Sequence, residues 1–254
     1  MGNCFDPLPT LYRTLLAKFD HASVQGASLV LVNSAYSRES LYRTYGIFAR
    51  VCYLGVDTQC FRPLALPKED FVLSVGALNP RKGFDFLLRS LALVDTAQRP
   101  LLVIASNVAD ERERGYLEEL AGQLGVSVSF GTLVSDDELV RLYNQALLTL
   151  YAAIMEPFGF VPIESMACGT PVVGVREGGG RETVLHGQTG LLTERDPHQF
   201  AQAVGSLLNN TERRLRYGNQ GREHVEEQWQ WARSVRDLER HLASVVQQSA
   251  GEAT

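Results

Sequence analysis

Short apolar runs alternate with amphipathic stretches along most of the chain, and the two periods locate its elements. Runs apolar throughout predict strands at Ser28 to Val32, Arg50 to Leu54, Phe71 to Val75, Leu101 to Ala105, Val126 to Phe130, Leu147 to Tyr151 and Pro171 to Val175. Apolar positions three and four apart predict helices over Phe84 to Leu93, Glu111 to Leu124, Asp136 to Asn144 and Gly159 to Ala167. Ser135 and Glu138 carry the spacing of a capping box, which would satisfy open amides in the first turn of the third of these helices. Strands apolar on both faces and separated by helices predict a parallel sheet covered on both sides. The fold class is therefore α/β: a doubly wound parallel sheet from about residue 68 to 195, with a small N-terminal α/β remnant.

The segment Asp57 to Asp70, with Pro63 and Pro67, breaks this pattern and reads as an interdomain linker. The two helix-strand units before it are too few for an independent core. Beyond residue 196 the pattern is helical, and Glu223 to Val246 reads as one long helix with Trp229, Trp231, Val235, Leu238 and Leu242 among its apolar positions.

Composition narrows the function. The 254 residues are 45% hydrophobic and 21% charged, ordinary for a globular protein. A net charge of −5 gives no electrostatic case for nucleic acid, which needs a basic face. No apolar run approaches the roughly 18 residues of a membrane span. Cys4, Cys52, Cys60 and Cys168 form no CxxC pair, so reduced thiols in a cytoplasmic protein are expected.

In open parallel sheets, ligands bind beyond the carboxyl ends of the strands. Three segments fall there. Gly76-Ala77-Leu78-Asn79-Pro80-Arg81-Lys82-Gly83 links a strand to a helix and combines a glycine, a helix N-terminus and the charge of Lys82, which suits a diphosphate. Taken alone this is a weak signal, because a lysine in a strand-helix loop is usually just solvated. Glu156-Pro157-Phe158-Gly159-Phe160-Val161-Pro162-Ile163-Glu164 opens a helix whose first turn presents the amides of Phe158, Gly159 and Phe160. Glu164, eight positions after Glu156, projects from a nearby azimuth about two turns further in. One carboxylate can accept from sugar hydroxyls and the other from ribose hydroxyls. The bland alternative is a dipole-stabilised Glu156 and an ordinary helical Glu164, and paired carboxylates also suit a glycosidase. The third segment, Gly178-Gly179-Gly180-Arg181-Glu182, exposes backbone to a ligand or serves simply as a turn.

Together these segments resemble the large glycosyltransferase family typified by glycogen synthases, sucrose synthases and bacterial mannosyl- and glucosyltransferases, over nearly the whole chain. Glu156 and Glu164 fit its pattern E-P-F-G-x-x-x-x-E, and Ala167-Cys168-Gly169-Thr170-Pro171-Val172-Val173 fits the strand entry after it. Gly178-Gly179 with Glu182, Gly187 to Leu192, Lys82-Gly83, Gly55-Val56-Asp57 with Phe61-Arg62-Pro63, and Asn33-Ser34 with Ser37 fit further blocks in order. The resemblance implies a GT-B fold: two Rossmann-like domains facing across a cleft, the second holding a nucleotide sugar. It implies hexose transfer from a UDP- or GDP-sugar with retention, using no cofactor and no metal. Lys82 and Glu156 would be the catalytic pair, within a donor site of Gly76, Arg81, Lys82, Glu156, Phe158, Gly159, Phe160 and Glu164. Lys82 would hold the diphosphate, Glu156 the sugar hydroxyls and Glu164 the ribose, so all three should converge on one pocket at the sheet's C-terminal rim.

The chain departs from the family at Ala77, where arginine is usual, and at Ser106-Asn107, where glycine is frequent. It also begins only a few elements before the interdomain crossing, and His21 is not in the context of the family's catalytic histidine. Residues 1–62 are therefore expected to be a remnant of the acceptor-side domain, 63–220 the donor-binding domain and 221–254 a crossover helix, with Trp231 as the family's closing aromatic. The acceptor, whether sugar, lipid-linked or other, is not readable. A homodimer or a separate N-terminal-domain partner is expected at the uncovered face. The implied location is cytoplasmic, with the inner membrane face as a peripheral site. The competing reading is a nucleotide-sugar-binding module without catalysis of its own, with a phosphorylase or epimerase of the same fold as a weaker third.

Overall fold

A computed structural model describes residue 16 and residues 19–108, 110–132 and 134–252, with side chains to residue 247; the expectation for Cys4 lies outside them. Two sheets form. The first is a parallel pair, β1 (Leu31–Val32) and β2 (Arg50–Val51), joined by helix α1 (Ala35–Tyr45). The second has six strands: β3 (Phe71–Val75), β4 (Leu101–Ser106), β5 (Val128–Thr132), β6 (Leu148–Tyr151), β7 (Val172–Val175) and β8 (Gly190–Thr193). Their order is β5-β4-β3-β6-β7-β8, and every neighbouring pair is parallel. The winding reverses between β3 and β6, so a crevice opens at their carboxyl ends.

Helices cover both faces, as the doubly apolar strands require. On one side lie α2 (Phe84–Leu91), α3 (Glu111–Leu124) and α7 (Pro197–Leu208), packing Phe84, Leu87, Leu117 and Phe200 against Val72, Leu102, Leu148 and Leu150. On the other lie α4 (Asp136–Gln145), α5 (Phe160–Ala167), the single turn α6 (Gly180–Thr183) and α8 (Thr211–Gln228). Tyr143 packs there against Leu73, and Ile163, Met166 and Val225 pack against Val172. Each fully buried leucine or phenylalanine contributes about 1.5–3 kcal/mol by leaving water. The capping box forms: Ser135 accepts from the Glu138 amide, and the Glu138 side chain accepts from the Ser135 amide.

Local differences from the sequence pattern have local causes. The strand expected at Val126 begins at Val128, because Gly125 ends α3 in the left-handed region and the Val126 amide turns back to the Ala121 carbonyl. β2 ends at Val51, since the chain beyond it leaves the two-strand ladder to reach Val56, which bridges to Gln230.

That bridge also overturns the single long helix expected over Glu223 to Val246. The chain breaks at Trp229–Gln230 and resumes as α9 (Trp231–Glu252). The Val56 amide donates to the Trp229 carbonyl at 2.8 Å and the Trp231 amide to the Val56 carbonyl at 3.1 Å. The Trp229 ring, 6% exposed, sits edge-on to Tyr53 and tilted against Phe158, and its Nε1 donates to His224 Nε2 at 3.0 Å. Trp231, expected to be the closing aromatic, is 54% exposed. Residues 221–252 thus comprise the end of α8, this break and α9, which reaches the N-terminal pair through Arg50 and Ser244.

Trp229→Ala removes a wedged ring from this junction and should cost about 3–5 kcal/mol. Trp231→Ala should stay within about 0.5 kcal/mol. Urea unfolding of both variants measures the contrast, and equal losses would contradict the assignment of Trp229 as the junction residue.

Candidate functional site

The site is built from three loops at the carboxyl ends of β3, β6 and β7. After β3, Asn79 accepts from the Arg81 amide and caps a short 3₁₀ turn, Pro80–Lys82, with Pro80 at its first position. Gly76, at φ +156°, leaves room for the Lys82 stem: a Cβ there would stand 2.9 Å from Lys82 Cδ. The stem therefore lies flat across Gly76 and carries the ammonium toward β6.

After β6, Ala152 to Gly159 lead into α5. Its N-cap, Gly159, supplies no side-chain hydrogen bond, so the first-turn amides are not capped by a side chain. The Ile154 amide donates to the Arg81 carbonyl at 2.7 Å and fastens this loop to the first. Met155 follows at φ +50°, an unusual conformation for a residue with a side chain. Glu156 then meets Lys82, whose Nζ lies 2.8 and 2.7 Å from its two carboxylate oxygens. These side chains are 22% and 30% exposed. A cavity of about 200 Å³ opens beside the pair, lined by Asn79, Arg81, Lys82, Ile154, Glu156 and Pro157.

The third loop supports the second from behind. The Gly179 amide donates to the Glu156 carbonyl at 2.8 Å, and a Cβ on Gly178, at φ +58°, would stand 2.4 Å from that carbonyl oxygen. All three glycines are buried, so here they let backbone approach backbone, as the turn reading of that segment allowed. The Arg195 guanidinium braces the same rim, pairing with Glu177 at 2.7 Å and donating to the Ala152 carbonyl at 3.0 Å. Its pairing is invisible in the sequence pattern, because it joins loops after different strands.

Of the three residues expected to converge, the structure brings two together. Glu164 is not among the residues lining the Lys82–Glu156 cavity. Its place on the second turn of α5 turns it toward α4, where it accepts from the Tyr143 hydroxyl at 2.8 Å. Burial raises the Glu164 carboxyl above the usual carboxylate range, partly offset by that hydrogen bond, and raises the Tyr143 phenol strongly. A second cavity of about 110 Å³, lined by Val75, Gly76, Ala77, Ala105, Asn107, Val134 and Leu139, lies between β3, β4 and α4. Of the other expected residues, Arg81 and Gly76 line these cavities. Phe158 is buried against Trp229 and Phe160, Gly159 is buried, and Phe160 is 42% exposed.

The N-terminal unit docks on the same rim. Ser34, the N-cap of α1, donates to the Pro157 carbonyl at 2.5 Å. Glu182 accepts from the Ala35 and Tyr36 amides and from the Tyr53 hydroxyl, each at 2.9 Å. Burial first, then that carboxylate, pushes the Tyr53 phenol up to about 12. Among the described residues, no group of three or more His, Cys, Asp or Glu is arranged to hold a metal, and no helix is long and apolar enough to cross a membrane.

Comparison with known proteins places this fold. A D-inositol 3-phosphate glycosyltransferase of Acidothermus cellulolyticus is 36% identical over 209 residues, covering 73% of this chain and 47% of that protein. The chain spans about half the length of the relatives it matches. Sucrose-phosphate synthase from Thermosynechococcus elongatus superposes with a TM-score of 0.81 at 28% identity, over 90% of this chain and 61% of that one. An Anabaena protein solved with UDP and glucose has the same fold, with a TM-score of 0.78 at 22% identity over 86% and 64%. The six-stranded sheet is thus the Rossmann-like domain of a GT-B fold. With residues 57–224 matching the pattern described as glycosyl transferases group 1, the chain belongs to that family.

Proposed function

We propose that this chain is the donor-binding half of a hexosyltransferase that takes a UDP- or GDP-sugar and transfers the hexose with retention at its anomeric carbon. The observation that carries the reading is the Lys82–Glu156 pair beside a cavity at the β3–β6 switch point. A cation for a diphosphate and a carboxylate for sugar hydroxyls there face a helix start without a side-chain cap. The UDP and glucose named with the Anabaena protein agree with it.

In this reading Lys82 and Arg81 hold the diphosphate, and the first-turn amides of α5 near Phe158, Gly159 and Phe160 extend that cradle. Glu156, released by Lys82, accepts from the hexose. The slot between β3, β4 and α4 receives the nucleoside, and Glu164, which lines neither cavity as it stands, engages the ribose on leaving the Tyr143 hydroxyl. Positive charge for the departing diphosphate comes from side chains and amides, with no metal required. One such donor is worth about 2.7–4 kcal/mol of barrier. Residues 63–220 form the donor domain, 1–62 belong to the acceptor side, and 221–254 tie the two together.

Calorimetry with UDP, GDP and their hexose conjugates tests the binding. Lys82→Ala should weaken it roughly ten- to a hundredfold, since a charge-assisted contact of about 1.5–3 kcal/mol is lost. Glu164→Ala should weaken it about tenfold, at the low end of the same range. No heat with any of the four ligands, or unchanged affinity in both variants, would defeat the placement. Transfer is followed as nucleoside diphosphate release with EDTA present, and the product's anomeric configuration by NMR. An inverted product would refute retention, and loss of activity with EDTA would refute metal independence.

The partner expectation has a matching surface. Trp231, Val235, Leu238 and Leu242 expose an apolar stripe along α9, and Tyr42 and Phe48 are exposed beside α1. A face of this kind is normally covered. A second copy or a separate domain should cover it in solution, and a monodisperse monomer by X-ray scattering at working concentration would count against that.

A further inference from the structure

Tyr151 ends β6, at the start of the loop that carries Glu156. Its ring is 5% exposed and packs in the cluster of Phe158, Ile163, Val172 and Trp229. One edge lies so close to Gly180 that a Cβ there would stand 2.5 Å from Tyr151 Cε1. The hydroxyl is buried yet finds no hydrogen-bond partner among the protein's groups. The one other such side-chain atom among the described residues is Arg99 Nε, whose guanidinium is otherwise held by the Ala92, Val94 and Gly125 carbonyls. Tyr151 has no second polar atom to compensate. A phenylalanine would fill the same space without leaving a polar group unsatisfied.

The neighbourhood indicates what the hydroxyl serves. The glycine loop that receives the Tyr151 ring at Gly180 also holds Glu156, through the Gly179 amide and the contact at Gly178. Burial, and after it the charge of Glu156, keep the phenol protonated and therefore able to donate. In this structure both carboxylate oxygens of Glu156 are occupied by Lys82. An anion drawing Lys82 away would leave the carboxylate half-buried without a donor.

We propose that Tyr151 is a positioning residue for Glu156, its hydroxyl taking up the carboxylate when Lys82 turns to the diphosphate, so that the second oxygen stays aimed at the hexose. This rests on the reading of the cavity as a nucleotide-sugar site. The exchange is one of hydrogen bonds, with no proton or covalent bond transferred. It makes the sugar-dependent share of affinity depend on a group that touches neither sugar nor nucleotide.

Tyr151→Phe tests it, with Glu156→Gln and the double variant completing a cycle. Ligands are UDP, GDP, UDP-glucose and GDP-mannose, and thermal unfolding is measured alongside. Tyr151→Phe should keep or raise the melting temperature and weaken UDP or GDP less than their hexose conjugates, because the bare nucleotides also draw Lys82 off Glu156 but gain nothing from an aimed carboxylate. It should weaken the preferred sugar nucleotide roughly tenfold. In the Glu156→Gln background the same change should have no further effect, because the residue it acts through is already altered. Unaltered preference for the sugar nucleotide in Tyr151→Phe would overturn the proposal. So would equal losses for nucleotide and sugar nucleotide with a lowered melting temperature, the behaviour of a purely structural side chain. A wild-type chain that binds none of the four ligands would instead overturn the reading of the site, and this proposal with it.

Discussion

The Lys82–Glu156 ion pair joins the two halves of the doubly wound sheet at the point where their winding diverges. Its partners come from loops after β3 and β6, 74 residues apart in sequence, yet the Nζ-to-carboxylate distances are 2.8 and 2.7 Å. Half-buried pairs of this kind add little net stability, because partial desolvation offsets the attraction. Their value lies elsewhere: two opposite charges neutralise each other until a ligand with both an anionic and a hydroxylic part can engage each separately. In the proposed reading a simple anion draws Lys82 from Glu156 and offers the carboxylate nothing in return, whereas a nucleotide sugar satisfies both, so the pair would act as a filter on ligand chemistry as well as a latch.

Holding that latch needs a rigid rim, and the rim is made largely of backbone. Gly76 lets the lysine stem lie flat, and the Ile154 amide ties the second loop to the Arg81 carbonyl. The third loop then closes behind Glu156 through Gly178 and Gly179. Arg195 holds the Ala152 carbonyl from the far side, with its charge matched by Glu177. The positive φ of Met155 is tolerated because its neighbours Ile154 and Glu156 are both pinned. Backbone strain of order 1–3 kcal/mol persists only where the surroundings over-determine it.

How much of this was legible in the sequence follows from the range of the interactions. β3, with four of its five residues buried, and α3, bounded by the Asp110 cap and Gly125, are specified by neighbouring residues and were readable to both ends. β8 was not readable from periodicity, since Gly190 and Thr193 dilute its apolar run; it emerged only through the resemblance of the Gly187 to Leu192 block. The break at Trp229–Gln230 was hidden, because helical spacing continues through it and the bridge that causes it lies at Val56, over 170 positions away. The site divides in the same way. Lys82 and Glu156 were legible because each sits in a loop at a strand's carboxyl end. Glu164 was placed by helical azimuth and by the resemblance, neither of which anticipates that Tyr143 of α4 would take its carboxylate. Tyr151 figured in the sequence only as the end of an apolar strand run, and its missing hydrogen bond exists only in three dimensions.

The N-terminal unit bears on this rim through the same backbone. Ser34 donates to the Pro157 carbonyl, one residue beyond Glu156, and Glu182 caps α1 two residues after Gly180, against which Tyr151 lies. Trp229 closes the circuit, because its ring touches Tyr53 from the N-terminal unit on one side and Phe158 from the loop after β6 on the other. A displacement of α1 therefore cannot leave the Glu156 loop unchanged: it must stretch the bond to Pro157, uncover Glu182 or shift Trp229. Each route ends at a residue adjoining the carboxylate or the uncapped start of α5. A partner docked on α1 and α9, as proposed, would therefore act on the geometry of the Lys82–Glu156 pair through packed, hydrogen-bonded contacts, without touching the cavity itself.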